Sequence, residues 1–218
     1  EMGPMLTVRG QASQSAGDVG ELFGKGRVIG ELSTPEKASV TNYARSSYET
    51  VNSGLRYGWE PNIRNIPDDP ETVALFKQEI VNLDRAMETS YLAEDLTLYR
   101  GTRFPELSRQ NLSIENAEKL VGQTIEDKGF VSTSLKREYA DLGFGESSKD
   151  QIGFIIKAPK GTHGIDMNGV KLSNYTAEEE ILLNRDLQFR ITKVYDDVYD
   201  VNGETGTRRY IEMEAINE

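Results

Sequence analysis

Three short segments carry residues that could do chemistry together. Glu178-Glu179-Glu180 runs directly into Ile181-Leu182-Leu183. In an extended strand alternate side chains share a face, so Glu178 and Glu180 would point one way and Glu179 the other. Two carboxylates so placed suit a reaction with a cationic, oxocarbenium-like transition state. They also suit gripping a guanidinium. Tyr99-Arg100-Gly101 closes an apolar run. Arginine brings a permanent charge and a bidentate donor fork, which fit a phosphate. Ser132-Thr133-Ser134 follows Gly129-Phe130-Val131, and hydroxyls alternating along a strand can hold a carboxylate in position. With no cysteine and one histidine in the chain, Ser132 lacks a partner base and suits an orienting role better than a nucleophilic one. Taken singly, each segment also has an ordinary explanation: a solvated acidic turn, a surface ion pair, an edge strand.

Composition narrows the chemistry further. The absence of cysteine excludes disulfides, thiolate nucleophiles and zinc-cysteine sites. His163 sits in Pro159-Lys160-Gly161-Thr162-His163-Gly164, which reads as a solvated turn. A multi-histidine metal site is impossible, no metal is expected, and a Ser-His-Asp machine would need His163. The formal charge is −11, with no basic run beyond pairs such as Lys136-Arg137 and Arg208-Arg209. Nucleic-acid affinity rests largely on Lys/Arg contacts to phosphate, so a nucleic-acid partner is not expected. No apolar run approaches the ~20 residues of a membrane helix.

The elements that must position these residues divide into two textures. Residues 1–30, rich in Gly, Ser and Gln, read as a flexible lead-in, and 31–218 as one catalytic domain. Within it, about 34–92 is helical. Ser33-Thr34-Pro35-Glu36 has the hydroxyl cap and early proline of a helix start. Tyr43, Ala44, Tyr48, Val51 and Leu55 then recur mostly at helical spacing, up to Gly58 and Pro61. Asp69-Pro70-Glu71 starts a second helix, with Val73, Phe76, Ile80, Leu83 and Met87 on one face. From about 93 to 218 the chain turns strand-like. Strands are expected at Leu96–Arg100, Gly129–Ser134, Ile152–Ala158, Glu180–Leu183, Gln188–Tyr195 and Arg208–Ala215. Short helices fit Ile114–Val121 and Lys136–Leu142. Asn202-Gly203 marks a hairpin turn. Helices first and strands after predict an α+β fold, with an N-terminal helical segment packed on a mostly antiparallel, two-sheet core.

The order of the motifs resembles the bacterial arginine-specific mono-ADP-ribosyltransferase toxins, whose pattern is an arginine strand, a Ser-Thr-Ser strand and Glu-x-Glu before an apolar strand. Leu98-Tyr99-Arg100-Gly101, Phe130-Val131-Ser132-Thr133-Ser134 and Glu178-Glu179-Glu180 match it in sequence. Tyr43, Tyr48, Asn52 and Leu55-Arg56 resemble the helical segment before the core in enzymatic components of clostridial-type binary toxins, and Leu83-Asp84-Arg85-Ala86 through Asp95-Leu96 resembles the run into the arginine strand. The likeness covers about 34–215. It implies NAD⁺ as co-substrate, bound in a cleft. Arg100 would hold its phosphates or nicotinamide-side ribose, and Gly101 would present backbone groups to the carboxamide. Ser132 would hydrogen-bond Glu180, which would grip the ribose 2′-OH and stabilise the cation. Glu178 would position the acceptor arginine. Phe144 would pack on the nicotinamide, where the family's following arginine is replaced by Glu146-Ser147-Ser148, with Lys149 beyond it. Tyr175, in the loop of residues 170–177, would meet the target protein, and Tyr43, Tyr48 and Asn52 would wall the cleft. The implied protein is a secreted toxin, a monomer, acting in the host cytosol on a host protein carrying a target arginine, such as actin or a small GTPase. At this length a receptor-binding domain has no room, so delivery is expected to use another polypeptide, a secretion apparatus or a further segment. NAD⁺ glycohydrolysis, or a non-catalytic NAD-binding interaction module of the same fold, are the alternatives.

Overall fold

The computed structural model describes residues 28–102, 114–142, 152–167 and 179–217. Helix α1 (Thr34–Asn42) starts as the Ser-Thr-Pro-Glu motif predicts. Ser33 Oγ accepts from the Glu36 amide, and the Glu36 carboxylate accepts from the Ser33 amide at 2.7 Å. The helical stretch expected to Leu55 is interrupted by a wide π-type turn, Tyr43–Ser47, before α2 (Tyr48–Tyr57). Gly58, at φ 102°, ends it in a conformation that favours glycine. Helix α3 (Pro70–Glu88) is capped by Asp69, whose carboxylate accepts from the Glu71 and Thr72 amides. Ile80, Leu83 and Met87 on its predicted face are buried, and Val73 and Phe76 half-buried. No helix among the described residues is long and apolar enough to cross a membrane.

Strands β1 (Val28–Ile29) and β2 (Tyr91–Leu92) pair as a small antiparallel ribbon. The other strands are β3 (Leu96–Thr102), β4 (Thr124–Asp127), β5 (Val131–Ser134), β6 (Ile152–Ala158), β7 (Gly164–Asp166), β8 (Glu180–Leu183), β9 (Leu187–Val201) and β10 (Glu204–Ile216). They run in the order β4-β9-β10-β6-β3-β5-β8-β7. Every neighbouring pair is antiparallel except β10 with β6. β3 and β5 are joined by a single rung, Tyr99 with Ser134. That thin seam divides the array into a five-stranded and a three-stranded part, which gives the expected two-sheet character. Between the parts lies one core, with Leu98, Phe154, Ile156, Val131, Ile181, Leu183, Phe189 and Met213. A second core joins the helices to the three-stranded part through Tyr43, Val51, Leu83, Met87, Phe130, Ile165, Met167 and Leu182.

Several elements differ from expectation. β1 falls inside the stretch read as lead-in, and β2, β4 and β7 were not foreseen; two to four residues are too few to display a period of two. β9 and β10 run further toward their turn than predicted, joined at Asn202 (φ 53°) and Gly203 (φ 83°), the pair of positive φ values that a two-residue I′ hairpin requires. The short helical piece expected at Ile114–Val121 is present as 3₁₀ turns over Ile114–Leu120, and α4 spans Glu138–Leu142. His163 is exposed, as its turn reading predicts, while its Nδ1 is shared between the carbonyls of Met87 and Ser90.

Candidate active site

β5 and β8 pair so that Ser134 lies opposite Glu180 and Ser132 opposite Leu182. With a pleat of period two, Ser132, Ser134, Glu180 and Leu182 share one face. Leu182 on that face packs among Tyr43 and Phe130, so the face looks toward α1 and α2. Glu180 is 0% exposed, Ser132 1% and Arg100 3%. Arg100 arrives on β3, and its Nη1 donates to the Ser132 carbonyl at 2.8 Å, tying the arginine strand to the serine strand beside their single rung. On the other face of β5, Thr133 Oγ1 donates to the Ile181 carbonyl at 2.6 Å.

A buried arginine beside a buried carboxylate is an electrostatic unit. Burial lowers the Arg100 guanidinium to about 10, with Arg56 acting in the same sense, while Asp127, Tyr43 and Glu180 oppose the shift. Arg100 therefore keeps its charge at neutral pH. Burial drives the Tyr43 hydroxyl far above its ordinary range, so it stays neutral, accepting from Asn52 Nδ2 at 2.8 Å. Asn52 Oδ1 accepts from the Phe130 amide at 3.0 Å. One turn on, Arg56 grips Asp127 with two bonds, at 2.8 and 3.0 Å, and reaches the Phe130 carbonyl at 3.3 Å. Asp127 also accepts from the Gly129 amide at 2.8 Å. A Cβ at residue 129 would sit 2.6 Å from Arg56 Nε, so only glycine lets the guanidinium lie across this backbone. α2 thus fixes the turn that delivers the Ser-Thr-Ser strand. Sequence reasoning singled out Asn52 and Arg56 by resemblance but missed Asp127, whose Asp127-Lys128-Gly129 turn was the available signal.

Arg100, Gly101, Ser132, Glu180, Tyr43 and Asn52 are thus brought together around β3, β5, β8 and the helical side. Tyr43 is a fully buried support, set edge-on to Phe130 and Tyr48. Tyr48, Asn52 and Arg56 line a cavity of about 70 Å³ together with Arg64 and Tyr57. Two details depart from the sequence reading. Ser132 Oγ is buried without a hydrogen-bond partner among the described residues, so the expected bond to Glu180 is not formed here. The register puts Ser134, not Ser132, directly across from Glu180, and diagonal neighbours on a sheet lie about 7–8 Å apart. Pairing in β8 begins at Glu180, and Glu179 adopts φ 50°. The described strand thus begins at Glu180. Glu178 itself, Phe144, Lys149 and Tyr175 lie outside the described residues. No group of three or more His, Cys, Asp or Glu suited to a metal ion occurs among the described residues.

A family model described as ADP-ribosyltransferase exoenzyme matches residues 23–217, and the chain belongs to that family. Secreted exoenzyme S of Pseudomonas aeruginosa is 28% identical over 189 residues, covering 85% of this chain and 34% of that protein. The chain thus spans about a third of the length of that curated relative. Plx2a, an ADP-ribosyltransferase toxin from Paenibacillus larvae, superposes with a TM-score of 0.63 at 22% identity, over 85% of this chain and 88% of Plx2a. The ADP-ribosylating toxin BECa of a binary enterotoxin of C. perfringens, solved with NADH, superposes with a TM-score of 0.63 at 20% identity, over 85% and 44%. Toxins of this family use NAD⁺ as co-substrate.

Proposed function

We propose that this chain cleaves NAD⁺ at the nicotinamide–ribose bond and transfers ADP-ribose to an arginine of a host protein. The observation that carries this is the buried convergence of Arg100, Ser132 and Glu180 on adjoining strands, with Tyr43 and Asn52 hydrogen-bonded to each other on the helical side. Arg100 holds the dinucleotide's phosphates or the nicotinamide-side ribose, and the Gly101 backbone approaches the carboxamide. As the glycosidic bond breaks, its electron pair leaves with nicotinamide, and the Glu180 carboxylate stabilises the cation left on the ribose. The uncommitted Ser132 Oγ orients Glu180 when the donor fills the site. The acceptor guanidinium is protonated at neutral pH. Its nitrogen forms the new bond to ribose C1′ as Glu178 takes the proton, so proton loss accompanies attack. Phe144 packs on the nicotinamide, and Tyr175 meets the target protein.

The whole-protein setting follows the same reading. The chain acts as a monomer from residue 31 onward, is secreted, and works in the host cytosol; actin and small GTPases are the acceptors to try first. Water in place of arginine gives an accompanying NAD⁺ glycohydrolase activity. Incubation with labelled NAD⁺, with and without agmatine as arginine mimic, tests the reaction. Glu180→Ala should lower nicotinamide release by roughly 10²–10³-fold, the usual loss when one charge-stabilising group is removed, while still binding NAD⁺. Glu178→Ala should abolish agmatine labelling and leave much of the hydrolysis. Full activity in the first variant, or equal loss of both activities in the second, would contradict these roles.

A further inference from the structure

The wide turn Tyr43–Ser47 has a geometric consequence. The Tyr48 amide donates to the Tyr43 carbonyl, five residues back, instead of four. In an unbroken α-helix, at about 100° per residue, Tyr43 and Asn52 would stand about 180° apart on opposite faces. Yet Asn52 Nδ2 donates to the Tyr43 hydroxyl at 2.8 Å. The turn absorbs one residue and so cancels one step of about 100°. Tyr43, Tyr48, Asn52 and Arg56 then follow one another at intervals of about 40°, forming a single stripe. That stripe makes the contacts described above to Phe130 and Asp127, and its outer members line the cavity at Tyr48, Asn52 and Arg56. The surplus falls on the opposite side, where Arg45 and Ser46 are exposed.

The turn is held from α3. Ser47, its buried last residue, donates through Oγ to Glu79 Oε1. Glu79 is half-buried, and burial raises its pKa. Asn82 Nδ2 donates to Ser39 Oγ at 2.9 Å one turn earlier. Glu79 has no contact with the Arg100, Ser132 and Glu180 cluster among its hydrogen bonds, and no sequence motif points to it.

We infer that the wide turn, clamped by Glu79 on Ser47, is the device that turns Tyr48, Asn52 and Arg56 toward the dinucleotide, and that Glu79 is a positioning residue for donor binding. The inference rests on NAD⁺ as the donor. Its mark is a loss of donor affinity without loss of the chemical step, since Glu180 and Arg100 are untouched. A group displaced by ~1 Å can cost up to ~10²-fold, so Glu79→Ala should raise KM for NAD⁺ roughly tenfold with kcat little changed. Glu79→Gln keeps the acceptor oxygen and should restore the native KM. Deletion of Ser46 returns the segment to α-helical phase and should weaken NAD⁺ binding, read by calorimetry, at least as much.

Nicotinamide release from labelled NAD⁺ and calorimetric Kd for NAD⁺ decide it on the full chain. A KM rise in Glu79→Ala that Glu79→Gln reverses supports the assignment. Should the Ser46 deletion fail to fold, Glu79→Ala, whose helix register is intact, carries the test. Native KM in Glu79→Ala, or a folded Ser46 deletion with native Kd, overturns the inference while leaving the transferase reading standing. A wild-type chain that neither binds nor cleaves NAD⁺ sinks both.

Discussion

Arg56 and Asp127 form an ion pair 71 residues apart in sequence, with exposures of 4% and 0% for the two side chains. Removing one partner of a buried pair leaves an uncompensated charge, at a cost of about 3–5 kcal/mol, whereas replacing both with apolar residues is often nearly neutral. Asp127→Ala should therefore destabilise the chain by about 3–5 kcal/mol in urea titration, and the double variant Arg56→Leu/Asp127→Leu should recover a large part of that loss. Additive losses in the double variant would show that the pair does not act as a unit. Arg100, Ser132 and Glu180 were legible because each stands in a contiguous motif with strand alternation around it. Asp127 was not, because its importance lies in a partner on α2 and nothing local marks it. That Ser134 rather than Ser132 stands directly across from Glu180 was hidden for a related reason: the register of β5 on β8 is a long-range property that neither strand encodes alone.

Among the elements, the caps were the most legible part of the fold, since a cap is a contract between residues two or three apart. Ser33 with Glu36 and Asp69 with Thr72 both formed as their spacing predicts. The wide turn was hidden because Ala44, Tyr48, Val51 and Leu55 keep an acceptable α-helical spacing with or without it; the Tyr48 amide bond to the Tyr43 carbonyl and the Tyr43–Asn52 bond separate the two cases. The caps carry a pH signature. The charged Asp69 carboxylate accepts first from the Thr72 hydroxyl, then from the Glu71 and Thr72 amides, and its pKa falls below its usual 3.8. A group whose folded pKa is depressed contributes stability above the unfolded value and loses it as pH drops through the folded one. Asp69→Ala should lower the melting temperature at pH 7, and the gap from wild type should narrow as pH falls below 3.8. A gap that stays constant down to pH 2 would refute the charged-cap account.

At the scale of the whole molecule, the two cores are not independent. β5 gives Val131 to the inter-sheet core on one face, while Phe130, just before it, enters the helix-facing core. β8 likewise gives Ile181 and Leu183 to one and Leu182 to the other. The helices at 34–88 bury their apolar stripes against one another and against Phe130, Ile165, Met167 and Leu182, so their core is shared with the strand-rich part. The division into a helical and a strand-rich part, legible from periodicity, is therefore a division of texture. We propose that 31–218 folds as one unit for this reason. The chain's one tryptophan offers a local reporter: Trp59 lies over Gly54, where an added Cβ would sit 2.2 Å from its ring, and it packs against the helix-facing core. Its fluorescence follows the helical part, while near-ultraviolet signals from the stacked Tyr195 and Tyr210, on β9 and β10, follow the far side of the sheet. In a two-state unfolding, probes in different places trace the same curve. The two signals should share one midpoint and one slope in urea. A helical signal lost at lower urea than the sheet signal would mean that β5 and β8 hold their two faces separately, and that 34–92 is a dispensable flank rather than half of the core.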